Sequence, residues 1–201
     1  MLIKDLFIKH QIKPQGILHI GAHEGQEAPI YRAAGVENVI WVEGNPDIYQ
    51  RLMSNLTYQY PEHKFIQALV SDVEEEVDFN ISSNDGQSSS ILEFGTHSQQ
   101  HPDVIFVDQK RLFTRRLDNI FVHPFVADFL VMDIQGMELR ALKGMGSLLN
   151  QFKWVYLEVN REEVYKGCGR IEEVEEYLGQ FGFKGVQEIW HGGWGDKFYS
   201  R

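Results

Sequence analysis

The sequence predicts an α/β fold, built on a largely parallel sheet that has one antiparallel edge. Short apolar runs alternate with segments of helical periodicity, which is the order expected when a chain winds back and forth across one parallel sheet. The last two apolar runs, Phe183–Trp190 and Lys197–Ser200, flank a glycine-rich segment over 191–196. This pattern is typical of a β-hairpin, which supplies the antiparallel edge.

The individual elements follow from apolar periodicity and from the residues that start and stop helices. Gly35 is the expected C-cap of one helix, and Pro46 suits the first turn of the next. The predicted helices cover 2–10, 25–34, 46–56, 138–149 and 171–181. The predicted strands cover 17–21, 38–43, 64–71, 77–81 (an extra strand or an edge segment), 129–133 and 154–159, followed by the hairpin.

Length and composition predict a single soluble domain over residues 1–201, with a helical cap over 1–15 and a lid or loop region over 82–110. The net charge of −10 argues against nucleic acid as the main partner, because phosphate binding needs basic clusters. No apolar stretch has the length of a membrane span. The single cysteine, Cys168, excludes an intramolecular disulfide and fits a reducing, cytoplasmic location.

A glycine turn and an acidic strand end carry the strongest functional signal. One apolar run ends at Gly21, and a tight turn through Gly25 leads into a helix. The next apolar run ends at Glu43. In a βαβ unit this arrangement places the turn and the carboxylate at the same sheet edge, where the carboxylate accepts hydrogen bonds from ribose hydroxyls. The pair therefore predicts a site for an adenosine-containing cofactor.

The turn sequence narrows the choice of cofactor. A nicotinamide or flavin pyrophosphate requires a second glycine for close backbone approach, but Ala22 and His23 stand at that point of this chain. No Lys-Ser/Thr pair follows the turn, which excludes a P-loop. A nicotinamide dehydrogenase is therefore disfavoured. S-adenosylmethionine has no phosphates and fits a turn of this kind.

Polar residues also follow three further strands, at Ser71-Asp72, Asp133 and Glu158. Ligands of open α/β sheets bind outside the carboxyl ends of the strands, so these residues are expected to meet in one crevice. The residues predicted to bind the cofactor are Gly21, Ala22, His23, Gly25, Glu43, Gly44, Asn45, Ser71, Asp72 and Asp133.

These motifs resemble the FkbM family of S-adenosylmethionine-dependent methyltransferases, over about residues 16–200. The motifs that carry the resemblance are His19-Ile-Gly-Ala-His-Glu-Gly25, Val42-Glu-Gly-Asn-Pro46, Ser71-Asp72, Ser88-Ser-Ser-Ile-Leu92, Leu117-Asp118, Met132-Asp-Ile-Gln-Gly-Met-Glu138 with Leu142-Lys-Gly144, Glu158 and Phe181-Gly-Phe183. The chain departs from the family at His19, where aspartate is usual, and at His23, where asparagine is usual.

The resemblance implies a class I, Rossmann-like methyltransferase fold with seven strands in the sheet and helices on both faces. It also implies O-methylation of a small hydroxylated acceptor, because members of the family act on sugars or glycans and on polyketide-type products. The two histidines favour the competing hypothesis, a cofactor-binding or interaction domain that has lost its chemistry. Retention of Glu43, Asp133 and Glu158 argues against that hypothesis.

Methyl transfer to a neutral hydroxyl requires a group that positions the acceptor and takes its proton. Asp133 and Glu158 are the catalytic candidates, and the same two carboxylates would hold a divalent ion such as Mg²⁺ or Mn²⁺ if one is present. Glu138 is either catalytic or a first-turn residue that favours the helix dipole. The residues predicted on the acceptor side are Ser89, Glu138, Tyr165 and His191.

Overall fold

The computed structural model describes residues 3–201, so Leu2, the first residue of the predicted N-terminal helix, lies outside it. The strands are β1 Ile17–Ile20, β2 Val39–Glu43, β3 Lys64–Gln67, β4 Leu69–Val70, β5 Glu76–Ser82, β6 Phe106–Arg115, β7 Phe129–Met132, β8 Trp154–Asn160, β9 Lys184–His191 and β10 Trp194–Ser200. The helices are α1 Ile3–Lys9, α2 Ala28–Ala33, α3 Pro46–Leu56, α4 His97–Gln100, α5 Leu117–Ile120, α6 Glu138–Met145 and α7 Ile171–Gly179, and a 3₁₀ helix covers Gly146–Gln151.

Seven strands form the main sheet, in the order β3-β2-β1-β7-β8-β10-β9. The first five of these strands run parallel, and β10 pairs antiparallel with both β8 and β9. The predicted fold class, a mostly parallel seven-stranded sheet with an antiparallel C-terminal hairpin, is confirmed. Because β1 lies in the middle of the sheet, its carboxyl end opens onto the centre of the sheet edge.

Helices cover both faces of this sheet, and each face has its own core. Successive strand residues point to opposite faces, so Leu18 and Ile20 pack with α6 and α7 while Ile17 packs with α1, α2 and α3. All four residues of β1 are buried. Burying each large aliphatic side chain contributes about 1.5–3 kcal/mol, so the two cores together fix the strand ends that build the site.

A second, three-stranded sheet in the order β4-β6-β5 was only partly predicted. The predicted strand over 64–71 is wrong in its second half, because the chain leaves the main sheet at Ala68 and residues 69–70 pair with β6 instead. The predicted segment over 77–81 is a strand, with bounds Glu76–Ser82. The predicted lid over 82–110 is too long, since residues 106–110 belong to β6. That strand is polar on much of both faces and lacks the alternation that marks a half-buried strand.

Two helix boundaries differ from the prediction for local reasons. The helix predicted from residue 25 begins at Ala28, because residues 21–27 form turns in which Gly21 and Gly25 have left-handed backbone angles. The helix predicted to reach residue 149 ends at Met145, where Gly146 breaks it with a φ of 50°. Over the described residues, no helix combines the length and the apolar character that crossing a bilayer requires.

Candidate active site

A cavity of about 690 Å³ opens at the carboxyl ends of β1, β2, β7 and β8, beside the start of β10. Its volume lies in the range of small-molecule and cofactor sites. Several residues predicted to bind the cofactor line this cavity: Gly21, Ala22, His23, Glu43, Gly44, Asn45 and Asp133. Of the residues predicted to bind the acceptor or to act in catalysis, Ser89, Tyr165 and Glu158 also line it.

The turn after β1 depends on glycine at both ends. Gly21 has a φ of +78°, and a Cβ atom there would lie 1.8 Å from the carbonyl oxygen of Asp133. Gly25 has a φ of +77°, and its Cβ would lie 2.4 Å from Cδ1 of Leu56. Gly25 therefore packs against α3 and acts through the backbone, whereas Gly21 lets the β1 and β7 ends approach closely beneath the cavity.

Glu43 ends β2 and is only 8% exposed. Its Oε2 accepts a hydrogen bond from the backbone N–H of His23 at 2.9 Å, and its Oε1 accepts one from that of Asn45 at 2.7 Å. Burial raises the pKa of Glu43, and these backbone hydrogen bonds oppose that rise. A carboxylate has about four acceptor positions, so two remain for the hydroxyls of a ribose. The open turn, the anchored carboxylate and the cavity volume together fit S-adenosylmethionine.

Both unusual histidines of the turn have structural partners. His19 is buried, its Nδ1 lies 2.9 Å from the hydroxyl of Tyr31, and its ring lies 5.1 Å from that of Trp41. Burial lowers the pKa of His19, which keeps the ring neutral within the core. In His23, Nε2 lies 3.0 Å from the carbonyl oxygen of Asp85 and Nδ1 accepts from Gln26 at 2.9 Å. His23 thus ties the cofactor turn to the loop that follows β5.

Three carboxylates meet at the floor of the cavity. One oxygen from each of Asp133, Glu138 and Glu158 lies within 4.8 Å of the others, a spacing that would also accept a divalent ion. Glu138 does not line the cavity, which corrects its assignment to the acceptor. Its Oε1 instead accepts hydrogen bonds from the backbone N–H groups of Ile134, at 2.8 Å, and Gly136, at 3.3 Å. Glu138 therefore holds the turn that carries Asp133.

Asp133 faces the cavity from the tip of β7. Its side chain is open to the cavity, and the protein that surrounds the cavity raises its pKa to about 6; the negative charges of Asp196 and Glu27 add to the rise. Gln135 opposes it, because its Nε2 donates a hydrogen bond to Asp133 Oδ1. The hydroxyl of Tyr165 donates in turn to Oε1 of Gln135, so a chain of hydrogen bonds orients the carboxyl. Burial likewise raises the pKa of Glu158, together with the neighbouring Asp133 charge.

Sequence reasoning missed Gln135, although it lies inside the Asp133–Glu138 block. Its φ of +56° is unusual for a residue other than glycine and places its side chain against Asp133. Other cavity residues that were not predicted as site residues are Glu27, His97, Tyr156, Trp194 and Asp196. Their positions depend on strand register and loop packing, which leave no local motif in the sequence.

Besides Gly25 and Glu138, three predicted site residues lie away from the cavity lining. Ser71 and Asp72 follow β4, where the chain has already left the main sheet. Ser71 bonds to Asp72 and to the backbone of Arg115, and Asp72 accepts a hydrogen bond from Arg116. Leu69 lines the cavity instead. His191 lies at the exposed end of β9 with its ring against Trp194, and Trp194 is the hairpin residue that reaches the cavity.

The serine-rich loop after β5 is cross-linked by hydrogen bonds. Asn84 Nδ2 donates to Ser88 Oγ at 2.9 Å, and His97 Nε2 lies 3.0 Å from the same oxygen. The His97 ring stacks on Phe94 with 4.2 Å between ring centres. Ser90 Oγ donates to the carbonyl oxygen of Gln135 at 2.8 Å, which joins the loop to the turn that carries Asp133. Burial lowers the pKa of His97 to about 4.

Comparison with known proteins adds the deciding observation, since residues 19–184 match the model of the methyltransferase FkbM domain. The chain belongs to the FkbM methyltransferase family. This FkbM protein is 25% identical over 174 residues to the 2-O-methyltransferase NoeI of Sinorhizobium fredii, a match that covers 82% of this chain and 71% of NoeI.

Solved structures show the same fold at low sequence identity. The ribosomal protein L11 methylase of Lactobacillus delbrueckii subsp. bulgaricus matches 98% of this chain with 76% of its own, at 13% identity and a TM-score of 0.56. The magnesium protoporphyrin IX methyltransferase of Synechocystis PCC 6803, solved with S-adenosylmethionine bound, matches 99% of this chain with 76% of its own, at 10% identity and a TM-score of 0.55. The FkbM protein is therefore an S-adenosylmethionine-dependent methyltransferase with the class I fold.

Proposed function

We propose that this FkbM protein transfers a methyl group to a hydroxyl oxygen of a small acceptor, a sugar or glycan unit. The observation that supports this most is the carboxyl of Asp133, which faces the cavity beside the Gly21 turn and has a pKa raised to about 6. A group of that pKa is largely ionised at neutral pH and is still basic enough to take a proton. The similarity to a 2-O-methyltransferase agrees with a hydroxyl acceptor.

The cofactor half of the cavity would be formed by the Gly21–His23 turn and Glu43, with Gly44 and Asn45 beside them. Glu43 is held by two backbone hydrogen bonds and keeps acceptor positions for a ribose. When bound, S-adenosylmethionine supplies an electrophilic methyl group. The protein has to orient the acceptor oxygen toward that group and exclude water around it.

Proton removal is the remaining task, because a neutral hydroxyl is a weak nucleophile. We assign Asp133 as the group that takes the hydroxyl proton while the O–CH₃ bond forms; the S–CH₃ bond of the cofactor would break in the same step, with S-adenosylhomocysteine as the leaving group. Gln135 and Tyr165 are positioning residues, because they fix the Asp133 carboxyl through a chain of hydrogen bonds. Glu158 lines the same cavity and would share the proton or bind a second hydroxyl of the acceptor.

A sugar is the acceptor class that we favour. Tyr165 and Trp194 line the cavity with aromatic surface, and the carboxyls of Glu158 and Asp196 offer acceptors for sugar hydroxyls. A net charge of −10 disfavours nucleic acid as the acceptor. The single cysteine fits action in the reducing cytoplasm, so we place both cofactor and acceptor there.

The test uses tritium transfer from labelled S-adenosylmethionine to a panel of glycans, with wild-type protein, Asp133→Asn and Asp72→Asn. Asp72 is a matched control, because its carboxyl lies outside the cavity lining. We expect label in at least one glycan with wild-type and Asp72→Asn, at least a 100-fold slower transfer with Asp133→Asn, and similar cofactor affinity by calorimetry for all three. A fully active Asp133→Asn variant would remove Asp133 from the mechanism, and a panel without any labelled member would overturn the sugar assignment.

A further inference from the structure

We infer that the acceptor unit entering the cavity carries no negative charge, and that Glu27 and Asp196 set this selectivity. The inference rests on the proposed function and narrows its substrate class. It assigns uncharged or amine-bearing sugar units to the cavity and excludes phosphorylated sugars and sugar acids.

The wall of the cavity is acidic on every side. Five carboxylates line it, and among the described residues no lysine or arginine does so; the carboxylates belong to Glu27, Glu43, Asp133, Glu158 and Asp196. Glu43 is occupied by backbone N–H groups on the cofactor side. The other four surround the space beyond the Gly21 turn. An anion placed there would be repelled by the ionised carboxylates, and no lysine or arginine of the lining would pair with it.

Strand register places two of these carboxylates face to face. Asp196 of β10 is directly opposite Glu158 of β8 in the antiparallel ladder. Residues paired in this way point to the same face of the sheet, with Cβ atoms about 4.5–5.5 Å apart. The Asp196 charge is one of the causes that raise the pKa of Glu158. A carboxylate pair that faces a cavity is accounted for by a ligand that donates hydrogen bonds to it.

Glu158 shows what kind of ligand that is. Its side chain is only 7% exposed, it lines the cavity, and within residues 3–201 no group donates a hydrogen bond to its carboxyl. A buried polar group without a partner is costly, so a bound ligand would have to supply the donor. Hydroxyl and ammonium groups can donate, whereas an ionised phosphate or carboxylate can only accept. The unpartnered carboxyl therefore favours a hydroxyl or ammonium group at this point of the cavity, and the acidic lining disfavours an anionic group there.

A hydrogen bond and a helix position locate Asp196 and Glu27. The hydroxyl of Tyr156 forms a hydrogen bond with Asp196, and the Asp196 charge is one reason that the pKa of Tyr156 is raised. Glu27 occupies the N-cap position of α2, is half-buried and lines the cavity. Glu27 and Asp196 both raise the pKa of Asp133, so their charges reach the base. They are specificity residues placed around the reacting group.

The experiment measures binding rather than turnover. Saturation-transfer NMR with the protein loaded with S-adenosylhomocysteine compares four methyl glycosides of one ring: glucoside, glucosaminide, glucuronide and glucoside 6-phosphate. We expect the glucoside and the glucosaminide to bind at least tenfold more tightly than the two anionic glycosides, and we expect added salt to narrow the ratio. Calorimetry of S-adenosylmethionine with the same protein is run first.

The variants are the double change Glu27→Gln with Asp196→Asn, and the control Glu172→Gln on the exposed side of α7. In the double variant, the ratio between the dissociation constants of the anionic and the neutral glycosides should fall at least threefold. In the control variant this ratio should stay unchanged. Anionic glycosides that bind as tightly as the neutral one, or a ratio unchanged in the double variant, would overturn this inference and leave cofactor binding intact. Failure of S-adenosylmethionine to bind, or of all four glycosides to bind, would overturn the proposed function instead.

Discussion

The two halves of the cavity are built in different ways. The cofactor half is a single turn of backbone between β1 and α2, closed by the carboxylate at the end of β2, and it depends on residues that have no room for a side chain. The acceptor half is assembled from side chains of α2, β8, β10 and the loop after β5, which are far apart in the sequence. Backbone geometry therefore determines whether the cofactor half can form, whereas side-chain charge determines what the proposed acceptor half can bind.

Gly21→Ala, compared with Gly35→Ala, tests most strongly whether the turn after β1 depends on glycine. Both glycines have a φ of +78°, but a Cβ at Gly21 would lie 1.8 Å from Asp133 O, whereas nothing lies within 4 Å of one at Gly35. We expect Gly35→Ala to cost about 1 kcal/mol in unfolding free energy, from backbone strain alone. Gly21→Ala should cost more than about 3 kcal/mol and abolish cofactor binding. Denaturant unfolding measures both, and equal losses would contradict the close approach of β1 and β7.

Removal of the Glu43 carboxylate should have the next largest effect. Glu43→Ala deletes the acceptor that orients His23 and Asn45 together with the expected contacts to a ribose. Hydrogen bonds to a charged group contribute about 1.5–3 kcal/mol each, so S-adenosylmethionine affinity should fall by about 100-fold. Calorimetry measures the loss, with the exposed Glu37→Ala as the control. An affinity within threefold of wild type would contradict the assignment of Glu43 to cofactor binding.

Positioning of Asp133 gives a smaller, kinetic effect. The Gln135 amide donates to Asp133 and lowers its pKa, so Gln135→Ala should raise that pKa further. The midpoint of the rate–pH profile should then move to higher pH, and kcat should fall by about tenfold with cofactor affinity unchanged. The exposed Gln99→Ala serves as the control. A lower kcat without movement of the midpoint would show that Gln135 has only a structural role.

The loop that follows β5 should give an effect that is confined to acidic pH and is seen as a loss of stability. Burial lowers the pKa of His97 from 6.5 to about 4, so the unfolded chain binds a proton between these values and the folded chain does not. This contribution is complete above pH 6.5 and is lost as the pH falls toward 4, by about 2 kcal/mol at pH 5 and about 3 kcal/mol at pH 4. In His97→Gln the loss of stability with acid should be shallower, and in the exposed His123→Gln it should match wild type. Identical slopes in all three proteins would contradict a buried, neutral His97.

The same contrast explains how much could be predicted from the sequence. The helix over Pro46–Leu56 was predicted with correct bounds because a proline starts it, and Asn45 caps it by accepting from Asp47 N–H. Glu43 followed from the spacing of a glycine turn and a strand end. Such signals are local, and they describe the backbone of the cofactor half.

The acceptor half leaves no comparable signal. Asp196 faces Glu158 only because of the register between β8 and β10. The predicted strand began at Lys197, which left Asp196 in the turn. Ser71 and Asp72 were predicted at the cofactor site, but the chain leaves the main sheet at Ala68 and then pairs with β6. The apolar periodicity of the sequence does not indicate this change of strand pairing. Glu138 was placed on the acceptor side, but its carboxyl turns back to the backbone of its own turn.

Transfer of a ¹³C-methyl label from S-adenosylmethionine to a glycan, followed by NMR of the product, tests the central claim most directly. The account predicts a new O-methyl signal with wild-type protein and with Asp72→Asn, and none with Asp133→Asn over the same period. A label found on nitrogen or carbon, or an O-methyl signal of equal intensity from Asp133→Asn, would contradict it.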